Sequence, residues 1–210
     1  MFFLPRLEEK STLDSVIKGD YMIEEIINET SGAVVAAVKG ANDIMSAVTG
    51  TVKNQMISVF KGTGDVASSG IQTVSSVAIG AVHGVGQVGA SVTDAARQIV
   101  TGAVLGVSDA GGDVIAAVGQ AAHGVIQATS ETGQDIAGAA VSTVDGAIKA
   151  AGQVGADTSE AAKAAVGGAL DAAGDVSDDA VQKVRSALLA SAALPHDVIE
   201  SAIKGHDEKK

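Results

Sequence analysis

The sequence predicts an all-α protein: a long amphipathic repeat helix, drawn out, broken into hairpins, or assembled as a right-handed helical bundle. Three observations predict it. An eleven-residue pattern runs without a gap from Ala36 to Leu189. Its apolar positions recur at helical spacing, with none of the period-two alternation that marks strands. Between Pro5 and Pro195 there is no proline to force a break.

Representative rows are GAVHGVGQVGA (80–90), GAVLGVSDAGG (102–112) and GAIKAAGQVGA (146–156), between which lie rows such as DVIAAVGQAAH (113–123) and DIAGAAVSTVD (135–145). The first position alternates between Gly80, Gly102, Gly124, Gly146 and Gly168 and the acids Asp113, Asp135, Asp157 and Asp179, so the longer unit has 22 residues. Eleven residues in three turns is about 98° per residue. On that wheel positions 2, 6 and 9 fall together, flanked by 3, 5 and 10, while 4, 7, 8 and 11 lie opposite.

The apolar face expected from this wheel comprises Val38, Val48, Val52, Val59, Phe60, Val66, Val74, Val82, Val85, Val92, Val104, Val107, Val114, Val118, Val125, Ile136, Ile148, Leu170 and Val184. Residues 36–189, if one unbroken helix, would reach roughly 230 Å and supercoil slightly to the right. Glycine is a poor helix former, at about 0.8–1 kcal/mol each against alanine. Such a helix therefore needs its stripe covered, by lipid, by other helices, or by itself folded back. Gly80, Gly84, Gly102, Gly106, Gly124, Gly146 and Gly168 sit at the margin of the stripe. Small residues four apart let helix backbones approach closely, so these glycines are candidates for close helix packing.

Three segments are expected: 1–35, the repeat 36–189, and 190–210. The first carries Phe2, Phe3, Leu13, Val16, Ile17, Tyr21 and Ile23, which suit a docking or anchoring segment. Ser11-Thr-Leu-Asp14 reads as a capping box opening a helix. In the last segment Pro195 suits the first turn of a short helix and Gly205 its C-cap.

Composition narrows the function. The 210 residues include no Cys and no Trp, one Tyr and three Phe, with a net charge of -11. The first excludes disulfides, thiolate zinc sites and thiol catalysis, and the acidic balance argues against nucleic acid as a partner. The opening Met1-Phe-Phe-Leu-Pro-Arg6 is too short in apolar residues for a secretory signal. The stretch from Val66 to Thr93 lacks Asp, Glu, Lys and Arg but is too rich in Ser, Thr and Gln for a membrane span.

No motif carries chemistry. His83, His123, His196 and His206 are scattered, and no two are four apart. Asp175, Asp178 and Asp179 lack the glycine-centred spacing of a calcium loop. Gly84-Val-Gly86-Gln-Val-Gly89 follows no strand, so it is no dinucleotide fingerprint. We expect no enzyme, no cofactor and no metal.

The repeat resembles the amphipathic eleven-residue-repeat class, which includes perilipins, synucleins, exchangeable apolipoproteins and late-embryogenesis proteins. Ser31-Gly-Ala-Val-Val-Ala-Ala-Val38 is similar to the apolar synuclein segment, and residues 61–76 (KGTGDVASSGIQTVSS) to perilipin repeats. The resemblance implies reversible binding to a lipid surface as a helix. The Lys-Thr-Lys-Glu-Gly core of synuclein is missing, and eight basic residues face fourteen acids between 36 and 189. A neutral surface therefore fits better than an anionic one.

Two functions are expected on this basis. One is a coat whose stripe adsorbs on a droplet, granule or membrane, on the cytoplasmic side and peripheral. The other is a self-associating scaffold or stalk, assembled from further copies of the chain, that docks a protein partner through residues 1–35.

Overall fold

A computed structural model describes the backbone of residues 7–40, 43–62 and 69–208, and the side chains of 23–39, 43–61 and 72–208. The described residues form α1 (Leu7–Gly40), α2 (Ile44–Gly62), α3 (Ser69–Gln87), α4 (Val92–Asp109), α5 (Val114–Glu131), α6 (Ile136–Gln153), α7 (Thr158–Val176), α8 (Asp178–Ala190) and α9 (His196–Asp207), with no strand among them. The all-α expectation holds.

Turn chemistry sets the architecture. After α4, Gly111 adopts φ 75°, its N–H bonds the Ser108 carbonyl at 3.0 Å, and the Gly112 N–H reaches the Val107 carbonyl at 2.9 Å. These two bonds satisfy carbonyls left over by the helix end, and the positive φ requires a residue without Cβ. One residue later Asp113 is extended, and its carboxylate accepts the Ala116 N–H at 3.0 Å, which starts α5. The same stop and start recur at Gly89 to Ser91, Gly133 to Asp135 and Gly155 to Asp157. Helices α4, α5 and α6 are each 18 residues long, five turns, and begin at 92, 114 and 136. The 22-residue unit is thus one helix plus a four-residue link.

The single 154-residue helix is therefore not formed, and the supercoil expected of it does not arise. The eleven-residue phase survives because five full turns bring the chain back to the same face before each link. Folding back covers the stripe with the chain's own helices, which neither a lone straight helix nor its solvent could do.

The helices alternate between two rows. The most extensive packing joins each helix to the second one after it: α1 with α3, α2 with α4, α3 with α5, α4 with α6, and α5 with α7. Odd-numbered helices form one row and even-numbered helices the other, with α9 beside α7 and α8 beside α6. Between the rows lies a core mostly of Val and Ala, with larger side chains at Met56, Phe60, Ile99, Ile126, Leu170, Leu188 and Ile199.

Two local readings are corrected. The capping box expected at Ser11 does not open a helix, because α1 already runs from Leu7. Leu7-Glu-Glu-Lys10 are good helix formers, and early acids favour the helix dipole. Gly205 is not a C-cap. Helix α9 continues to Asp207, whose carboxylate holds Arg185 of α8 through two bonds of 2.7 Å. Helix α8 follows α7 without a link. Ser177 caps α8, its hydroxyl accepting the Ala180 N–H, while Asp179 pairs with Lys183 at 2.6 Å. Pro195 sits at the N-cap of α9. Helix α1 also runs straight through the boundary drawn between residues 35 and 36.

Candidate interaction surfaces

The glycines singled out from the repeat all lie where two helices of one row meet. A methyl group at Gly124 would stand 2.5 Å from the Ser75 carbonyl oxygen, and one at Gly80 2.5 Å from that of Ile27. Gly84 lies on Ser31 and Val34, Gly102 on Thr49 and Val52, Gly106 on Lys53 and Met56, Gly146 on Arg97, and Gly168 on the Gly119 carbonyl. No real Cβ fits at such distances, so each contact needs glycine.

The register recurs in three of these contacts. Counting from each helix's first residue, residue 11 of the later helix (Gly102, Gly146 or Gly168) meets residue 6 of the earlier one (Thr49, Arg97 or Gly119). The helices of these three pairs therefore run parallel with the same stagger.

Charge follows the same polarity. Lys53 of α2 pairs with Asp109 of α4 at 2.7 Å, and Arg97 of α4 with Asp145 of α6. His83 of α3 meets Glu131 of α5, and His123 of α5 meets Asp175 of α7, both at 3.3 Å. In each pair the base is on the earlier helix and the acid on the later. Asp145 alone among these acids is buried, and it takes a second cation, Lys149, at 2.9 Å. A buried carboxylate is tolerable only when paired in this way.

The expected apolar face is placed inside the chain. Val38, Val48, Val52, Phe60, Val74, Val82, Val85, Val92, Val104, Val107, Val118, Val125, Leu170 and Val184 are buried, and Val114, Ile136 and Ile148 pack half-buried against them. Val59 is half-buried, and Val66 lies outside the described residues. Of the three ways to cover the stripe, the structure shows the chain folded back on itself. Of the expected docking residues, Phe2 and Phe3 lie outside the described residues, as do the side chains of Leu13, Val16, Ile17 and Tyr21. Ile23 is 41% exposed on α1.

Among the described residues of α1 and α2, Glu29 and Ser58 are exposed, as are Ile23 and Ile44. Glu29 occupies the repeat position of Thr73, Ala117 and Ala161, and Ser58 that of Gly102 and Gly146. Both are exposed, whereas Ala117, Ala161, Gly102 and Gly146 are buried.

A shallow groove lies on the outside of the odd row. Its floor is Gly119, Ala164 and Gly167, and its rim His123, Lys163, Asp171 and His206. Lys163 is held by Glu160 at 2.8 Å, which keeps its ammonium protonated above the usual lysine range. The Asp207 carboxylate likewise raises Arg185 next to it. Sequence reasoning missed this groove because it joins α5, α7 and α9, far apart in the chain.

Among the described residues no three His, Asp or Glu side chains are grouped to hold a metal, and no helix is long and apolar enough to cross a membrane. No protein-family model matches the chain, and no curated protein matches it in sequence.

Proposed function

We propose that the chain is a non-enzymatic scaffold, a stack of helices that offers its outer faces and its N-terminal segment to a protein partner. One observation carries this reading: the stripe that a surface coat would present to lipid is already filled by neighbouring helices of the same chain. Residues 1–35 remain the proposed docking element, and the setting is cytoplasmic.

The coat is the second reading, favoured by α3, which has no Asp, Glu, Lys or Arg from Ser69 to Gln87. It requires the two rows to part at their links and lay the stripe on a neutral lipid surface.

Circular dichroism and size-exclusion chromatography with light scattering, with and without a neutral-lipid emulsion, separate the two. The scaffold gives a helical monomer that melts cooperatively in plain buffer. Helix that forms only on the emulsion would replace the scaffold with the coat.

A further inference from the structure

We infer that the odd row is a pH-responsive layer, tightened by acid, while the even row is held at a fixed strength. The basis is how the bases are divided between the rows. Three successive odd-row contacts carry a histidine opposite a carboxylate: His83 with Glu131 at 3.3 Å, His123 with Asp175 at 3.3 Å, and His206 of α9 with Asp171 of α7 at 3.6 Å. The even row instead uses Lys53 with Asp109 and Arg97 with Asp145. Lysine and arginine stay charged across the physiological range, whereas histidine is the side chain that changes charge between about pH 5 and 8. Carboxylates as a class remain charged over most of that span.

Each ring faces a carboxylate of a neighbouring helix. His83 faces Glu131 from α5, and α1 meets α3 there through uncharged residues, with Ser31 bonding Gln87 at 3.0 Å. His123 faces Asp175, with Asp171 and the internally paired Glu160 and Lys163 of α7 along the same groove. His206 is the most enclosed, its side chain 12% exposed. It faces Asp171, and the hollow beside it holds Asp175 and Asp178 together with the Arg185–Asp207 pair. In all three places the acid comes from a different helix, so protonating the ring strengthens a tie between helices. His196 differs, since its partner Glu200 is on the same helix. A protonated ring attracts the carboxylate across from it and a neutral ring does not, so acid adds attraction between the helices of this row.

The test is hydrogen exchange, corrected for intrinsic rates, at pH 8 and pH 5.5 on the full chain. The comparison variant carries His83→Gln, His123→Gln and His206→Gln. In the wild type, opening of the α3, α5 and α7 amides slows about two- to fivefold at pH 5.5, the range expected for partly exposed pairs, while α4 and α6 are unchanged. The glutamine variant loses that difference between rows. A second variant with lysine at the three positions shows the slow opening at both pH values, and it decides the question should the glutamine variant fold poorly. An equal response of both rows, or a row-specific response that survives in either variant, overturns the inference.

Discussion

The middle of the stack and its C-terminal end hold helices together on different terms. From α3 to α7 contact within a row depends on what is missing: a glycine lets the neighbouring backbone lie against the helix. At α8 and α9 no such glycine serves. Leu188, Leu194, Ile199 and Ile203 fill the space, and Arg185 clasps Asp207. The middle is therefore intolerant of added atoms, and the end of removed ones. Packing at crystal-like density makes both errors costly, for opposite reasons.

The largest expected effect comes from adding bulk to the middle. Gly168→Val should destabilise by about 3 kcal/mol, because the new side chain meets the Gly119 backbone, which cannot move aside. Chemical denaturation measures it. The control is Gly50→Ala, in mid-helix with open space around it, which should stabilise by about 0.5–1 kcal/mol through helix propensity. Equal effects of the two changes would remove the close-approach explanation.

Removing bulk from the end comes next. Ile199→Ala should cost about 2–3 kcal/mol. Most of that loss should appear as local opening of α8 and α9, because each helix of the stack touches only near neighbours. Hydrogen exchange that accelerates throughout the stack would contradict this.

A smaller effect is expected at the links. Gly133→Ala forces an L residue into φ 67° and should cost about 1–2 kcal/mol, read from the thermal midpoint.

The smallest concerns acid. The Asp157 carboxylate accepts the Ser159 and Glu160 N–H groups at 2.8 and 3.0 Å, bonds that hold its titration below the usual carboxylate range. A depressed folded value means the cap contributes above the ordinary carboxylate titration and is lost as the pH falls through the lowered one. Amide shifts of Ser159 and Glu160 should therefore titrate below about pH 4. A midpoint at or above the ordinary aspartate value would show that the cap does not form in solution.

Much of this was legible in the residues. The repeat, its 22-residue unit, the helical period and the small-residue ridge need only the sequence. The links were legible in principle as well. Gly111-Gly-Asp113, Gly133-Gln-Asp135 and Gly155-Ala-Asp157 each place glycine two residues before an N-cap residue, the usual pairing of stop and start signals. They were hidden because a 22-residue unit is two elevens, so the apolar phase passes through each link undisturbed. The groove between α5, α7 and α9 was not legible at all.

The amino-acid order by itself determined that this chain would be helical, striped and built of repeating units, because periodicity and propensity are local properties. Only the tertiary structure decided what covers the stripe. An apolar face specifies that it must leave water but not which surface it leaves water for, and glycine specifies that something can come close but not what. Here the glycines admit the helix two places along the same row, and the stripe leaves water between that row and the other.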